Sequence, residues 1–432
     1  MFQLLEVIEK KRSDKARKSL IKIGDKSITT PTYGTYIQKK FELDLLCRTN
    51  LETLGHVGII ASKIYSTPNI IREHESRLSI TTLSGELVEK SYKELKNGKL
   101  WVIDPCTDEL YYKNENIKEA FSKCIELSSD VREFLTRMTP DNYNLQWDNL
   151  NNNTAFFMKF VGDFVKCQGQ LKSDIICPPV PLITADSPDH LIELWHKIVR
   201  TTGVLAKTLL EKNSAIVLNL HYNLFRRPAK LNSLFKKLSE MVSDSTISEI
   251  KAIIIKLQGE ELESDTGETR ARFRQFMIAM GKYAILTKRA IFMLDTSSVG
   301  LICISLGLDG FIEPLNGVVG SRIAMSKDKH GRYYHPDGLK FTRFNDLKAI
   351  YANNNQKLPC HCSSCLQINS RDLENDVSLD EWNNARRSHL LECRNAEIEE
   401  YHETIEDNTI SNAIVDKVQR SDIKNLLDVL PK

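Results

Sequence analysis

The chain alternates short, continuously apolar segments with longer segments in which apolar residues recur every three or four positions. Short runs rich in β-branched residues are typical of strands buried on both faces of a parallel sheet, and the longer period is typical of helices. Helical periods occupy His190–Leu210 and Leu231–Val242. Seven segments are predicted strands: Val57–Ala61, Leu100–Ile103, Asp174–Cys177, Ala215–Leu220, Ala252–Leu257, Ala290–Leu294 and Gly310–Ile312.

Seven or eight strand–helix units in about 300 residues fit an α/β fold of the (β/α)8 TIM-like barrel type. A doubly wound open sheet is the alternative. No G-x-G-x-x-G or P-loop signature follows the first predicted strand, which weakens a nucleotide-binding open sheet. We predict a catalytic barrel over residues 1–355 and a C-terminal zinc-binding subdomain over residues 356–432, with an amphipathic helix at Ile410–Leu430.

Composition narrows the class of protein only a little. The 432 residues are 41% hydrophobic and 27% charged, which is ordinary for a globular protein and excludes a collagen or a wholly disordered chain. The 59 Lys and Arg residues nearly balance the 57 Asp and Glu residues, so bulk charge does not favour a nucleic-acid or membrane binder.

The sequence predicts a cytoplasmic protein that does not enter a membrane. No apolar run reaches the roughly 18 residues that a membrane-spanning helix needs. The first 18 residues have a short apolar stretch followed by charges, which is not the order of a secretory signal. In that compartment the ten cysteines are expected to be free thiols or metal ligands rather than disulfides.

Charge is distributed unevenly along the chain. Residues 1–40 contain ten basic and four acidic residues, and residues 315–350 contain seven basic and three acidic residues. Residues 366–410 reverse this balance, with four arginines and twelve acidic residues. A basic zone beside an acidic one fits a polyanion bound across part of the surface, and chance unevenness on a solvated surface is the alternative.

Three cysteines lie within six positions, in the sequence Cys360-His-Cys362-Ser-Ser-Cys365. Thiolates at this C-x-C-x-x-C spacing can converge on one tetrahedral zinc ion, which a ligand from a later helix would complete. The candidates for that ligand are His389, Cys393 and His361. We favour His389, 24 positions after Cys365 in a predicted helix. Four protein ligands leave no open position, so the predicted Zn2+ is structural. Three unrelated thiols are the alternative.

In a (β/α)8 barrel the chemistry lies at the carboxyl ends of the strands. Carboxylates occur near several predicted strands, and clustered histidines do not. This pattern favours acid–base or covalent carboxylate chemistry over a catalytic metal. The residues near strand ends are Asp104, Asp108, His221, Tyr222, Gln258, Gly259, Glu260, Glu261, Asp295, Asp309 and Glu313.

Several segments, in order along the chain, carry a family resemblance. They are Ile28–Thr35 (ITTPTYGT), Leu51–Ile60 (LETLGHVGII), Val102–Thr107 (VIDPCT), Lys256–Glu261 (KLQGEE), Ser305–Pro314 (SLGLDGFIEP) and Arg322–Phe341. With the cysteine motif and the later histidine, they resemble the tRNA-guanine transglycosylase superfamily. More narrowly, they resemble its DpdA branch, which places 7-deazaguanines in DNA. The resemblance extends over nearly the whole chain and is weak between these segments.

The departures from the family pattern favour the DNA branch over an ordinary tRNA enzyme. The family's DSGG is DPCT here, so only Asp104 is carried over. The tRNA enzymes have two aspartates around the nucleophile motif, whereas this chain has Asp309 and Glu313. The family's QGG is replaced by Asn-Leu-His-Tyr at 219–222. The family also has a carboxylate that recognises the edge of the purine, and this carboxylate has no match within CPPVP at 177–181.

The resemblance implies a DNA-guanine transglycosylase that exchanges guanine for a 7-deazaguanine such as preQ0 through a covalent glycosyl-aspartate. This two-carboxylate logic is that of retaining glycosidases, and it needs no ATP or redox cofactor. Asp309 is the expected nucleophile and Asp104 the general acid/base, facing each other across the barrel mouth. A helix-capping role is the alternative for each, and Glu313 is the alternative nucleophile.

Four residues are candidates for contact with the base itself. Gln258 and Gly259 are candidates for reading the base, with an ordinary turn as the alternative. His221 and Tyr222 are candidates for stacking on it or hydrogen-bonding to it, with a structural role as the alternative. Asp295 and Asp174 are reserve candidates for the site.

A base within a duplex must be flipped out before a barrel can act on it, and phosphate contacts help to offset that cost. Basic residues interleaved with Tyr333, Tyr334 and His335 are the expected mixture for such contacts. The predicted DNA-binding residues are Arg322, Lys327, Lys329, Arg332 and Arg343, with a second patch at Arg226, Arg227 and Lys230. A plain solvated loop is the alternative for both patches. The resemblance also implies a helper ATPase of the DpdB type.

Three other functions remain open at this stage. The first is the same chemistry on tRNA, although no RNA-binding domain is recognised. The second is a catalytically inactive subunit, stabilised by a structural zinc ion, that only binds nucleic acid or a partner. The third is an unrelated zinc-ribbon protein on an open α/β sheet.

Overall fold

Eight parallel strands close into a barrel, which confirms the predicted α/β TIM-like architecture. The computed structural model describes residues 5–13, 16–37, 42, 45–46, 55–68, 78–81, 87–90, 98–112, 115–243, 250–258, 266–294, 296, 298–315, 330–406 and 410–421. Its strands are β1 (Leu5–Ser13), β2 (Ala16–Ile23), β3 (Lys26–Thr30), β4 (Thr32–Ile37), β5 (Val57–Lys63), β6 (Leu78–Thr81), β7 (Leu87–Lys90), β8 (Leu100–Asp104), β9 (Ile175–Ile176), β10 (Asn213–His221), β11 (Ala252–Gln258), β12 (Ala290–Leu294), β13 (Gly310–Pro314), β14 (Arg332–His335) and β15 (Lys340–Arg343).

The barrel follows the strand order β10-β11-β12-β13-β4-β5-β8-β9, which returns to β10. Seven of its strands coincide with the seven predicted from apolar runs. The eighth, β4, has the sequence TYGTYI and lies within the segment that resembles the family's opening strand. Gly34 is required in β4 because a Cβ atom there would lie 2.7 Å from Ile312 and 2.9 Å from Ile59, its partners on the two neighbouring strands.

Helices pack around the barrel and continue into the C-terminal region. They are α1 (Glu115–Ser122), α2 (Ser129–Thr136), α3 (Tyr143–Asn152), α4 (Thr154–Gln170), α5 (His190–Leu210), α6 (Pro228–Ser243), α7 (Gly267–Leu286), α8 (Ser298–Cys303), α9 (Phe344–Asn353), α10 (Ser363–Leu366), α11 (Leu379–Glu406) and α12 (Ile410–Arg420). The two helices predicted from periodicity correspond to α5 and α6. Among the described residues, no helix has the length and apolarity needed to cross a bilayer.

The register of the strands determines which side chains point into the lumen. Paired residues on neighbouring parallel strands share a face, and faces alternate along each strand. Tyr36 pairs with Ala61, which pairs with Val102, so Asp104 two positions later faces the lumen with Tyr36. Lys256 pairs with Asn219 and Leu294 in the same inward row. Polar side chains from opposite walls therefore meet at the carboxyl end of the barrel.

An antiparallel sheet of β1, β2 and β3 packs against the amino end of the barrel, and the apolar pattern did not predict it. Arg17 of β2 reaches the backbone oxygen of Arg289, just before β12, at 2.7 Å. The Leu5 amide donates to Asn213 at the start of β10, and Lys26 pairs with Asp174 just before β9. These contacts close the end of the barrel opposite to the carboxyl ends of its strands.

A second apolar cluster lies beside the hairpin of β14 and β15. It contains Tyr333, Phe344, Leu347, Tyr351, Leu358, Cys365, Ile368, Leu373, Val377 and Trp382. The later part of α11 leaves this cluster and packs on the barrel, where Leu391, Ile398 and Tyr401 join the main core. The long helix α11 thus connects the C-terminal region to the barrel wall. The predicted boundary at residues 355 and 356 stays a prediction.

Candidate active site and metal centre

Asp104 is the last residue of β8 and lies fully inside the carboxyl end of the barrel. Its carboxylate accepts hydrogen bonds from the Tyr36 hydroxyl on β4 and from the Cys106 backbone amide at 2.9 Å. Lys256 Nζ on β11 lies 2.8 Å from Asp104 Oδ2. Three separate segments therefore fix the position of one carboxylate at the barrel mouth.

The turn after β8 brings two more carboxyl groups to Lys256. Cys106 adopts a left-handed conformation with φ of 58°, and the chain then forms a 3-10 turn over Thr107–Tyr111. Asp108 Oδ2 lies 3.0 Å from Lys256 Nζ and accepts a hydrogen bond of 3.1 Å from Gln258 Nε2. Glu109 lies 3.6 Å from the same Nζ.

A second lysine, Lys63 at the end of β5, binds Glu109 from the other side. Lys63 Nζ lies 2.5 Å from Glu109 Oε1, and the Tyr65 hydroxyl donates to Glu109 Oε2 at 2.9 Å. All of the charged side chains in this group are buried. We call the group the mouth cluster: Lys63, Asp104, Asp108, Glu109 and Lys256.

Three carboxyl groups and two lysines share this buried volume, and their pKa values diverge. Burial raises the pKa of Asp108 to about 7; the nearby carboxylates of Asp104 and Glu109 add to the rise, and Lys256 opposes it. Burial also acts to raise the pKa of Asp104, but the charge and hydrogen bond of Lys256 outweigh it and leave the value below the ordinary one. Similarly, Lys63 brings the pKa of Glu109 below its usual range despite burial. Asp108 is therefore the member of the cluster that holds a proton most readily near neutral pH.

The residues predicted to contact the base also lie at this end of the barrel. Gln258, the last residue of β11, touches Asp108. His221 ends β10, and its Nδ1 accepts a hydrogen bond of 3.2 Å from the Asn223 amide, so it caps the following turn. The Tyr222 ring stacks on His221 with centroids 5.4 Å apart, and the Tyr111 ring lies 6.4 Å from His221. Gly259 and Asp295 lie outside the described residues.

Asp309 lies at the other end of the barrel. It immediately precedes β13, and its carboxylate is paired with the Arg17 guanidinium. The Ile291 amide, at the start of β12, donates to it at 2.8 Å, and the Thr30 hydroxyl donates at 3.2 Å. The prediction that Asp309 and Asp104 face each other across the barrel mouth is therefore wrong, because a strand length of about 15 Å separates the two ends.

Two other predicted carboxylates also lie away from the mouth cluster. Glu313 on β13 points outward, where Arg394 Nε of α11 lies 2.6 Å from Glu313 Oε1. Asp174 precedes β9 at the amino end and pairs with Lys26 at 2.6 Å. The alternative nucleophile and one reserve candidate are thus engaged in structural contacts outside the lumen.

The four predicted metal ligands come together in the C-terminal region. One ligand atom from each of Cys360, Cys362, Cys365 and His389 lies within 4.8 Å of the others. His389 Nδ1 is 3.2 Å from Cys362 Sγ and 3.3 Å from Cys365 Sγ. His389 Nε2 lies 2.7 Å from the Tyr334 backbone oxygen, which leaves Nδ1 to act as a ligand. Three thiolates and one imidazole are a donor set that fits tetrahedral zinc.

Of the two other candidates for the fourth ligand, Cys393 brings its sulfur close to the ligand atoms. Its Sγ is 3.8 Å from Cys360 Sγ and 3.4 Å from His389 Nδ1, one helical turn after His389. His361 lies between two ligands and is exposed. Glu392 of α11 accepts hydrogen bonds from the Ser363 amide and hydroxyl, so the cysteine segment is tied to the helix that carries His389.

The hairpin of β14 and β15 carries two of the predicted DNA-binding residues. Arg332 and Arg343 are directly opposite in its register, and within the described part of the chain neither forms an ion pair with a carboxylate. Arg322, Lys327 and Lys329 lie outside the described residues. In the second patch, Lys230 Nζ lies 3.7 Å from Asp189, and the Arg226 guanidinium lies over the Tyr222 ring.

Comparison with family models and with curated proteins finds no match to this chain. The function is therefore inferred from the fold, from the chemistry of the mouth cluster and from the resemblance of the motifs.

Sequence reasoning noted Asp108 and Lys256 but assigned neither a role in the site. The sequence did indicate a role for Lys256, because this lysine interrupts the otherwise apolar strand AIIIKLQ. A charged residue in a buried strand needs a buried partner of opposite charge. Adjacent acidic residues directly after β8 supply those partners. Tyr36, Tyr65 and Lys63 carried no comparable signal, since their roles depend on the register of strands distant in sequence.

Proposed function

We propose that this chain is a DNA-guanine transglycosylase, which exchanges guanine in DNA for a 7-deazaguanine such as preQ0. The observation that carries the proposal is the pair of buried carboxyl groups with opposite pKa shifts, Asp104 and Asp108, which share Lys256 at the carboxyl end of a barrel. Carboxyl groups whose surroundings separate their pKa values are the usual acid and nucleophile of glycosidic chemistry. The class of substrate, guanine in DNA and a free 7-deazaguanine, is inferred from the resemblance of the motifs.

The spacing of the two carboxyl groups suits a mechanism with net retention. Lys256 Nζ lies 2.8 Å from Asp104 Oδ2 and 3.0 Å from Asp108 Oδ2, so these two oxygens are at most about 6 Å apart, less than the roughly 6.5–9.5 Å between the carboxyl groups of inverting glycosidases. Inverting enzymes need a wider gap to admit a water molecule. A covalent intermediate therefore fits this site better than direct displacement.

In this proposal Asp104 takes the role of nucleophile that the sequence assigned to Asp309. Asp104 is the carboxyl group kept ionised by Lys256, Tyr36 and the Cys106 amide. One of its oxygens attacks C1′ of the nucleotide, the C1′–N9 bond breaks, and the electron pair leaves with guanine. N9 of the incoming base then attacks C1′, and the ester bond to Asp104 breaks. Two inversions at C1′ give retention.

The C-terminal region supports binding of the nucleic acid in this proposal. When bound by its four ligands, zinc would fix the cysteine segment to α11 and, through the hydrogen bond from His389 to Tyr334, the β14–β15 hairpin. Arg332 and Arg343 on that hairpin are available for phosphates. Because the target base must leave the duplex, a helper ATPase of the DpdB type is a fitting partner.

The test is nucleoside mass spectrometry of DNA and tRNA from cells that make preQ0 and express the wild type, Asp104→Asn or Asp309→Asn. We expect the deazaguanine in DNA with the wild type and its loss with Asp104→Asn. Any folded Asp309→Asn protein should retain activity. Modification of tRNA alone would indicate the tRNA enzyme. No product, even with a co-expressed ATPase, would favour the inactive binding subunit.

The nucleophile is tested separately by trapping the intermediate. Wild-type protein is incubated with guanine-containing DNA without an incoming base, denatured in acid and digested. We expect the peptide that contains Asp104 to carry the added mass of a deoxyribose phosphate without its base, because guanine leaves when the ester forms. The adduct on any other carboxylate, including Asp309 or Glu313, would refute the assignment.

A further inference from the structure

We infer that Asp108 donates the proton to the leaving guanine and accepts one from the incoming base, while Lys256 transfers its ion pairing between Asp104 and Asp108. This inference rests on the proposed function and adds the residue that handles the proton. Neither Asp108 nor Lys256 was assigned a role by motif or spacing.

The position of Asp108 fits this role. Its carboxyl group is held over the lumen by Lys256 Nζ at 3.0 Å and by Gln258 Nε2 at 3.1 Å. Gln258 is itself a candidate for contacting the base, so a base that reached Gln258 would also reach Asp108. The Asp104 carboxylate is bound to the same Lys256 nitrogen. The proton donor and the nucleophile thus lie on two sides of one ammonium group.

The charge balance of the mouth cluster requires one shared proton. Three carboxyl groups and two ammonium groups leave one negative charge in excess if all five ionise. An uncompensated charge costs several kcal/mol in such a buried site, so one carboxyl group takes up a proton instead. Glu109 is paired with Lys63 and Tyr65, and Asp104 with Lys256 and Tyr36. Asp108 is left as the group that holds the proton.

The proposed cycle conserves this neutrality. In the first step Asp104 loses its charge by forming the ester, Asp108 becomes a carboxylate, and its proton leaves on guanine. Lys256 then pairs with Asp108, which it already contacts. In the second step N9 of the deazaguanine bonds to C1′, its proton returns to Asp108, and Asp104 regains its charge. The cluster carries no net charge at either stage, so no buried charge goes unpaired.

The other groups around Asp108 do not compete for this role. The charged side chains that face it are Lys256 on β11, Asp104 at the end of β8 and Glu109 on the turn after β8. Tyr112 and Tyr143 also approach it, and burial raises the pKa of both phenols, so they stay neutral at working pH. The Tyr143 hydroxyl is already engaged with the Leu182 amide at 2.8 Å.

The first experiment varies the leaving group. Unmodified guanine must gain a proton as it departs, whereas cationic 7-methylguanine departs as a neutral base without one. We expect Asp108→Asn to slow release of guanine by about 10²–10⁴-fold and release of 7-methylguanine by less than about tenfold. Asp141→Asn, which changes an exposed carboxylate, is the control and should alter neither rate. Equal losses on both substrates would show that Asp108 acts only on structure and would overturn the inference.

The second experiment does not require activity. Infrared titration of the folded protein should show a protonated carboxyl band that disappears around pH 7 and is missing in Asp108→Asn. Glu313→Gln identifies any contribution from Glu313, because burial also raises the pKa of that carboxyl group. A wild-type spectrum without an Asp108 band would overturn the inference even if base exchange occurs. Wild-type protein that exchanges no base even with the ATPase present would refute the proposed function, and the titration would still report whether Asp108 holds the proton.

Discussion

Arg17 and Asp309 form an ion pair at the amino end of the barrel, with both side chains buried. The pair joins the N-terminal sheet to the loop before β13, and the Ile291 amide and Thr30 hydroxyl complete the bonding of the carboxylate. A buried guanidinium or carboxylate is expensive unless it is paired and hydrogen-bonded. This relationship gives Asp309 a structural role far from the mouth cluster.

Removing the Asp309 carboxylate should therefore reduce stability and leave the chemistry of the folded protein intact. We expect Asp309→Ala to lower the free energy of unfolding by about 3–5 kcal/mol, because Arg17 would lose its buried partner. The double variant Arg17→Met with Asp309→Leu should recover much of this loss, since no charge is then left unpaired. Urea unfolding of the three proteins measures the difference. Unchanged stability in Asp309→Ala would contradict the structural role.

The error over Asp309 came from the family motif and not from the apolar pattern, which had already predicted a strand that begins at Gly310. In a parallel barrel, an aspartate just before a strand lies at the amino end, and one at the last position of a strand lies at the carboxyl end. Asp309 comes just before Gly310, the first residue of β13, whereas Asp104 closes β8. The resemblance to the family motif suggested that Asp309 lies at the barrel mouth. Its position just before β13 places it at the amino end instead.

The barrel itself was largely predictable, because seven of its strands are continuous apolar runs that few other structures accommodate. The N-terminal sheet was not predictable from the apolar pattern, since β1 and β2 mix apolar and charged residues, as in LEVIEKKRS of β1. The cluster of candidate metal ligands was predictable because three members are close in sequence and the fourth lies on a predicted helix. The mouth cluster combines side chains from β5, β8, the turn after β8 and β11, which are distant in sequence and meet only through the strand register and that turn.

Zinc should be held by the four predicted ligands and should stabilise the C-terminal region. We expect about one equivalent of zinc in the wild type, and loss of most of it in Cys362→Ser, because three ligands bind the ion far more weakly than four. The matched control is Cys393→Ser, which changes a thiol 3.8 Å from Cys360 Sγ but outside the four-ligand set. Elemental analysis and thermal unfolding of the purified proteins measure both effects. Zinc lost from Cys393→Ser and kept in Cys362→Ser would reverse the ligand assignment.

Asp108 should make stability depend on pH in a defined direction. Its pKa of about 7 in the folded protein exceeds the ordinary value of 3.8, so the folded state binds the proton more tightly than the unfolded state. The stabilisation is fully present below about pH 4 and is lost as pH rises to about 7. As pH rises across that range, the wild type should therefore lose up to about 4 kcal/mol of unfolding free energy relative to Asp108→Asn, which has no carboxyl group to titrate at this position. A difference that stays constant with pH would mean that the Asp108 pKa is ordinary.

Arg332 and Arg343 should account for part of the salt dependence of DNA binding. They lie side by side on the β14–β15 hairpin, and each phosphate contact contributes about 0.9 to the slope of log K against log salt for duplex DNA. We expect the double variant Arg332→Ala with Arg343→Ala to reduce the slope by up to about 2 units and to weaken binding on all sequences alike. Arg371→Ala, which removes an arginine already paired with Glu381, is the matched control and should leave the slope unchanged. Fluorescence anisotropy from low to moderate salt gives the slopes, and an unaltered slope in the double variant would place the DNA elsewhere on the surface.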